Sequence, residues 1–526
     1  MAQTTKFLAL DLGAESGRVV VGHLDGEQLR LQEIHRFPNG PVQVLDSLHW
    51  DVLRLWTEIK HGLGLAAKAY AGPAYQRNDL VSIGLDTWGV DFGLLAADDT
   101  LLGNPVHYRD SRTNGMMEEA FKLVPRAEIY ERTGIQFIQL NSLYQLLAMA
   151  RAHSPALAAA QTFLNMPDLF NFWLSGHKSS EFTIATTSQC YDPRAGDWAR
   201  DMLDRLGIPS HIFGEIVPPG TVLGPLRASV ASETGARAIR VIASAAHDTA
   251  SAVAAVPTAD DDYIYISSGT WSLMGIEVKE PIINAQSLAD DFTNEGGVNN
   301  TFRFLKNLMG LWLVQECRRE WARTGESYSY DELTGMAAKA RAFGPLVSLS
   351  DGCFLPPGDM PGRIQAFCRE TGQDVPEAKG EIIRCALESL ALEYRWVAER
   401  LDEADKQRSA GRPSDIADCA EAPGVSRGRR HRSPTVHIFG GGSRNKLLNQ
   451  FAADALSRTV VTGPVEATAI GNILVQALAL GHVATLAEGR DLVRRSFQVE
   501  TYEPRHTAVW DAAYERYLKL KFKEST

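Results

Sequence analysis

Phe7-Leu8-Ala9-Leu10-Asp11-Leu12-Gly13-Ala14-Glu15-Ser16-Gly17-Arg18 is an apolar run that closes on an acid and then on a turn bracketed by two glycines. The run has the length and β-compatible composition of a buried strand, and the segment after the turn, Arg18 to Leu24, is again strand-like and ends at the Asp25-Gly26 turn signal. Glycines in such a turn let backbone N–H groups approach phosphate oxygens, and an acid at a strand end can hold Mg²⁺ through water. A dinucleotide-binding loop would open a helix with GxGxxG, whereas here a strand follows. The plainer alternative is a tight hairpin with no ligand.

Working outward, Leu29 to Phe37 continues the antiparallel pattern. Asp51 to about Ala71 carries Leu53, Trp56, Ile59, Leu63 and Ala66 at helical spacing. Leu80 to Leu85 and Val90 to Leu95 read as strands. A second hairpin opens at Tyr263-Ile264-Tyr265-Ile266, turns through Ser267-Ser268-Gly269-Thr270 and returns along Trp271 to Val278. Much later come a strand, Thr435 to Phe439, a glycine run, and a helix over Leu447 to Leu456. Each half of the chain thus begins with a glycine-containing hairpin, the pattern expected of a duplicated lobe rather than a short tandem repeat.

The chain has 526 residues, more than one core usually organises, so two large lobes are expected. With 44% hydrophobic and 22% charged residues the composition is that of a globular protein. A formal net charge of −11 argues against a nucleic-acid partner, although a nucleotide needs only a local site. No secretion signal is read between Met1 and Lys6, so a cytoplasmic location is expected. The most apolar later stretch, Ile473 to Leu486, is too short to span a bilayer and reads as a buried helix; no membrane partner is expected. Cys190, Cys317, Cys353, Cys368, Cys385 and Cys419 show no CxxC spacing, which favours reduced core thiols, although Cys368 and Cys385 fall on successive helix-like segments and could lie near each other. From 404 to 433 the apolar periodicity collapses into a basic, glycine- and proline-containing segment, read as a mobile, solvated insertion.

Three further motifs carry chemistry. Gly440-Gly441-Gly442-Ser443-Arg444-Asn445 follows a strand and precedes a helix; three glycines remove every Cβ at the turn, so a flat group such as adenine or ribose can lie on the backbone. The alternative is a loop that needs only positive φ. In Ala246-His247-Asp248-Thr249-Ala250-Ser251, an acid between a strand and a small-residue helix is placed to accept a hydroxyl proton, or simply to cap the helix. Asp86-Thr87-Trp88-Gly89-Val90-Asp91 combines a flat aromatic, acids and approachable backbone, suited to a polyhydroxylated sugar or, equally, to a strand–turn–strand with a core tryptophan.

The order of these motifs, with the Ser267-Ser268-Gly269-Thr270-Trp271 hairpin between them, resembles the FGGY carbohydrate kinases from about Lys6 to about Pro504. Tyr108-Arg109-Asp110-Ser111-Arg112-Thr113 and Asn294-Glu295-Gly296-Gly297 sharpen the likeness, and His247-Asp248 stands where other members commonly have Gly-Asp. The resemblance implies an α/β fold of two actin-like (ribonuclease H-like) ATPase lobes around a central cleft. It places an N-terminal sugar-binding lobe over 1–245, a C-terminal nucleotide-binding lobe over 246–504 with the insertion 404–433, and a C-terminal helix or tail over 505–526.

For activity, the resemblance implies ATP-dependent phosphorylation of L-rhamnulose to its 1-phosphate, with ATP and Mg²⁺ and with Asp248 as general base. Gly89, His247, Asp248, Thr249 and Asn307 would contact the sugar. Ala14, Glu15, Ser16, Gly17, Arg18, Thr270, Gln315 and Gly441 would contact ATP, with the metal near Asp11. Two departures stand out: the long basic insertion, and Glu15, a carboxylate unfavourable beside phosphates unless it points outward. The competing expectations are a kinase for L-fuculose or a pentulose, an actin-like ATP-binding regulator without catalysis, and, least favoured, a nicotinamide-dependent dehydrogenase.

Overall fold

Phe7, Leu8, Ala9 and Leu10 are all fully buried, so the first strand shows no inside–outside alternation: it is covered on both faces, as in the middle of an α/β sheet. The computed structural model describes residues 4–70, 80–237, 239–410 and 434–522. In chain order, the elements that organise it begin with β1 (Thr5–Leu12), β2 (Ser16–Leu24), β3 (Leu29–Pro38), α1 (Val52–Ala69) and β4 (Leu80–Thr87). They continue with β5 (Thr221–Pro225), β6 (Arg240–Ala243), α2 (Asp248–Ala254), β7 (Tyr263–Ser268), β8 (Trp271–Val278), β9 (Thr293–Gly296), β10 (Phe302–Met309) and α3 (Trp312–Arg323). The chain then forms α4 (Lys379–Ala410), β11 (Thr435–Phe439), α5 (Lys446–Leu456), β12 (Val460–Thr462), α6 (Ala467–Ala479), β13 (Thr501–Tyr502) and α7 (Thr507–Lys521).

Two compact units result. The first comprises 1–259, 277–305 and 466–498, and the second 260–276, 306–465 and 499–526. In the first, the sheet runs β5-β6-β4-β1-β2-β3. β1 is antiparallel to β2 and parallel to β4, in a register that sets Asp11 opposite Arg18 on one side and Asp86 on the other. α1 lies on one face, so close that a Cβ on Gly62 would stand 2.4 Å from Val19. α6 lies on the other face, where a Cβ on Gly22 would stand 2.6 Å from Ile473. Its polar residues are not exposed: Gln476 Nε2 donates to Leu8 O at 3.0 Å, and Ser82 Oγ to Gln476 Oε1 at 2.7 Å. Those bonds return 466–498 to the N-terminal sheet, so the units do not divide at a single point such as residue 245. Also within the first unit, β9 pairs antiparallel with the first half of β10.

In the second unit β7 is antiparallel to β8 and parallel to β11, which is followed by β12 and β13. This is the pairing of β1 with β2 and β4 over again, the duplication that the two hairpins suggest. α7 is pinned to α4 by Lys521 with Glu393 and by Tyr514 with Glu399, both within this unit.

Two expectations change. The apolar stretch from Ile473 to Leu486 is not one helix, because α6 ends before Gly481, whose φ of +73° stops it, and another helix begins at Leu486. The segment 404–433 is not loop from its start: α4 continues through Ala410, while 411–433 lies outside the described residues, as does Cys419. The reading of the cysteines as reduced thiols holds: Cys368 and Cys385 are both buried and free, and Cys190, Cys317 and Cys353 are free as well. No helix among the described residues is long and apolar enough to cross a membrane.

Candidate active site

The register of β1 draws a charged corner together. Arg18, across from Asp11, bonds its carboxylate and also Glu466, just ahead of α6. Asp86 accepts from Asn472 Nδ2 at 2.6 Å. Burial raises the Asp11 carboxyl above its ordinary value despite the Arg18 guanidinium, with the Asp248 charge adding to the rise. Asp86 is fully buried, and burial together with the Asp11 charge holds its carboxyl well above the usual range.

The β1–β2 turn is closed by Gly13 N–H donating to Ser16 O at 3.0 Å and by Asn39 Nδ2 donating to Gly13 O at 2.8 Å. Ala14 and Ser16 are half-buried, and Glu15 is exposed. Gly17 has a packing reason of its own: a Cβ there would stand 2.3 Å from the Phe37 ring.

Asp248 is the first residue of α2. The N-cap is His247, and no side chain caps that end, so Asp248 does not occupy the capping position. Its side chain is 32% exposed, and Thr249 Oγ1 donates to its Oδ1 at 3.0 Å. The strand-to-helix turn is held from behind. Glu181 Oε2 accepts from Ala246 N–H at 3.1 Å, and Thr183 Oγ1 accepts from His247 N–H at 3.1 Å. Burial pushes the Glu181 carboxyl up to about 7 against the donors it accepts from, the Thr183 hydroxyl and the N–H groups of Thr183, Ile184 and Ala246. Thr87 N–H donates to Ala246 O at 2.9 Å, which brings the Trp88-Gly89 turn alongside. A Cβ on Gly89 would lie 3.3 Å from Thr187 Oγ1 and 3.5 Å from His247 Nε2, so Gly89 keeps the backbone open beside the imidazole. Val90 next to it adopts φ +68°, an outlier for a β-branched residue. Thr187 Oγ1, accepting from its N–H at 3.2 Å, and Ser142 Oγ, donating to its carbonyl at 2.5 Å, hold it there. Gly89, His247, Asp248 and Thr249 therefore meet in the first unit.

Trp88 is buried, its ring centroid 4.0 Å from that of Trp50, so it belongs to the core. Asp91 anchors the pair. Its Oδ2 accepts from Trp50 Nε1 at 2.5 Å and Trp88 Nε1 at 2.9 Å, and its Oδ1 from Gln145 Nε2 at 3.0 Å. Of the four carboxylates considered, Asp11, Asp86 and Asp91 are buried and bonded to protein partners, and Asp248 is the accessible one. Asp91→Ala leaves two buried indole N–H groups without an acceptor and is expected to lower unfolding free energy by about 2–6 kcal/mol, at about 1–3 kcal/mol per group. Asp91→Asn, which keeps an acceptor, should cost less; equal Asn and Ala values in denaturant titrations would show that the indole bonds do not matter. Burial pushes the Asp91 carboxyl up to about 6, so its proton-linked stabilisation is complete below the ordinary carboxylate range and is lost as pH rises through about 6.

In the second unit, Thr270 sits in the β7–β8 turn, where its carbonyl accepts from Gly310 N–H at 3.1 Å and Trp312 N–H at 3.2 Å. Gln315 lies on α3 with its Oε1 buried and without a protein partner. Asn307 lies on β10, in the same unit. The glycine triplet divides by role. Gly440 has φ +83° and a Cβ there would stand 2.9 Å from Ser268 O; a Cβ on Gly442 would stand 2.1 Å from Ser268 Oγ. Gly441 alone of the three faces open space. After it Asn445 caps α5, accepting from Leu448 N–H at 3.0 Å. Among the described residues no group of three or more His, Cys, Asp or Glu side chains is arranged to hold a metal ion. Asp11, bonded to Arg18, offers one carboxylate, which fits a water-mediated contact and not a metal centre built by the protein.

Several residues with a part in this site were not singled out from the sequence, among them Glu181, Thr183, Thr187, Glu466 and two that lie against the His247 ring, Arg303 and, beyond its place in a motif, Glu295. Arg303 alone left a trace, as a lone cation in the apolar strand Phe302-Arg303-Phe304-Leu305.

Comparison with known proteins matches the chain to one family. The model of the N-terminal domain of the FGGY family of carbohydrate kinases matches residues 6–255, and that of the C-terminal domain residues 264–480. A rhamnulokinase of Bacteroides thetaiotaomicron is 44% identical over 508 residues, covering 97% of this chain and 98% of its own length. One from Halalkalibacterium halodurans is 41% identical over 495 residues, covering 94% and 98%. Among solved structures, a gluconate kinase from Lactobacillus acidophilus has a TM-score of 0.77 at 16% identity over 99% of this chain and 98% of its own. A xylulose kinase from Rhodospirillum rubrum has a TM-score of 0.76 at 18% identity, covering 99% of each chain. The likeness to these two is one of fold.

Proposed function

This chain belongs to the FGGY family of carbohydrate kinases and is an ATP-dependent sugar kinase, and from that premise we propose that it transfers the γ-phosphoryl group of ATP to the primary hydroxyl of L-rhamnulose, giving L-rhamnulose 1-phosphate and ADP. The observation that carries the chemistry is the accessibility of Asp248 beside His247 and Gly89, when the neighbouring carboxylates are buried. The rhamnulokinases that match nearly the whole chain support the choice of sugar.

Asp248 takes the hydroxyl proton as that oxygen bonds to the γ-phosphorus and the bond from phosphorus to the β–γ bridging oxygen breaks. With Thr249 donating to Oδ1, Oδ2 is the oxygen assigned to the proton. Gly89, His247, Thr249 and Asn307 position the ketose. The second unit's Thr270, Gln315 and Gly441 hold the nucleotide, a role that the unpartnered Gln315 Oε1 and the open approach to Gly441 support. The N–H groups of the Ala14 to Arg18 turn face the phosphates. Mg²⁺ carried with ATP would neutralise phosphate charge, with Asp11 contributing through water.

A coupled ADP-release assay over a panel of ketoses tests the acceptor. L-rhamnulose is expected to give the highest kcat/KM, with related ketoses weaker by about 10–200-fold for differences of a methyl group. Higher kcat/KM on L-fuculose, a pentulose or glycerol would reassign the substrate.

A further inference from the structure

Arg303 on β10 is fully buried, and its guanidinium is committed to three partners. Nε donates to Gly296 O at 2.8 Å, and Nη2 approaches Glu295 Oε2 and His247 Nδ1, each at 3.0 Å. Arginine is charged at every relevant pH and can only donate. The contact with Nδ1 is therefore a hydrogen bond only if Nδ1 carries no proton, and in a neutral imidazole the proton then sits on Nε2. Glu295 Oε2 lies 3.3 Å from the same Nδ1 and would favour the opposite tautomer, but an Nδ1–H would then crowd the closer Arg303 Nη2, 3.0 Å away, which cannot accept it. Nε2 faces the candidate site: it is 3.5 Å from Asp248 Oδ1 and 3.5 Å from where a Cβ on Gly89 would stand. The charged groups around the ring are thus Arg303 and Glu295 behind it, Asp248 before it, and Glu181 under the turn that carries it.

We propose that Arg303 is a positioning residue that holds His247 in the Nε2–H tautomer, so that the imidazole presents a donor, and never an acceptor, to the sugar oxygen next to the one Asp248 deprotonates. The proposal rests on the kinase reading for its consequence in catalysis, but the tautomer is a property of the protein alone. A donor there selects an acceptor oxygen and orients the ketose so that its primary hydroxyl meets Asp248. Glu295 serves by neutralising the buried guanidinium, since an unpaired buried charge is strongly unfavourable.

The test begins with the full-length chain labelled with ¹⁵N-histidine, whose 13 histidines are narrowed to one by comparison with His247→Gln. At neutral pH without substrate, the expected spectrum shows a pyridine-type Nδ1 and a protonated Nε2 for His247. A protonated Nδ1, alone or together with Nε2, overturns the proposal. Because no substrate is present, this outcome is separate from the assignment of the sugar.

The second arm is kinetic. Arg303→Met should lower kcat/KM for the ketose by about 10²-fold, the scale of a misplaced reactant, mostly through KM, while KM for ATP changes little. Arg303→Lys, which keeps a donor and the charge, should recover part of the loss. A folded Arg303→Met with unchanged ketose kcat/KM, or one that raises both KM values equally, also overturns it. If Arg303→Met does not fold, the wild-type spectrum alone decides.

Discussion

Asp248→Asn is expected to lower kcat at saturating ketose by about 10²–10⁴-fold, the usual contribution of a general base. Size and most hydrogen bonds survive the change: Thr249 Oγ1 can still donate to the amide oxygen. What is lost is the ability to take a proton. A purely structural role predicts otherwise. His247, and not Asp248, is the N-cap of α2, so a capping function cannot be invoked for the acid, and Asn would in any case cap as well as Asp. ATP affinity, measured by titration without sugar, should hold within about twofold, because the substitution removes no nucleotide contact in this account. A variant with more than about a tenth of wild-type kcat would place the base elsewhere. Asp86 and Asp91 are poor substitutes, since both are buried and bonded to protein partners.

The second large effect is expected at a residue assigned no substrate contact. A Cβ on Gly471 of α6 would stand 1.7 Å from Ser251 O of α2, a backbone atom that cannot rotate away. Helix propensity alone would make Gly471→Ala stabilising by about 1 kcal/mol. Overpacking against backbone opposes it by about 3 kcal/mol or more, so the net change should be a clear loss of unfolding free energy. α2 begins with Asp248, so relief of the clash also displaces the acid, and kcat/KM should fall with stability. Thermal melts and kinetics on the same preparation check both parts. An Ala variant as stable as wild type would mean that the two helices separate without cost.

The contrast between these two residues shows what could be read from sequence. Asp248 was legible because its signal is local: an acid between a strand and a run of small residues. The two glycine hairpins and the Gly440 to Gly442 turn were legible for the same reason, and their pairing in β1–β2 and β7–β8 follows from turn chemistry. The reason for each glycine was not. Gly17 answers to Phe37, and Gly442 to Ser268. Those causes are steric contacts made by residues distant in sequence, to which no periodicity points. The same holds for α6, whose Asn472 and Gln476 look like flaws in an apolar helix until the sheet supplies Asp86 and the Leu8 carbonyl as partners. Arg303 is the extreme case: a charge in an apolar strand signals only that a partner exists, and the partners, Glu295 and His247, come from two other elements.

In the proposed reaction ATP's terminal phosphoryl group ends on the primary hydroxyl of the ketose and not on water. Phosphorus NMR of the enzyme with ATP, Mg²⁺ and L-rhamnulose reads this directly. One phosphomonoester resonance per ADP formed is expected, split into a triplet by the two protons on the carbon bearing the phosphate. Formation of ADP with inorganic phosphate as the only other product, or ADP release independent of the sugar, would contradict it.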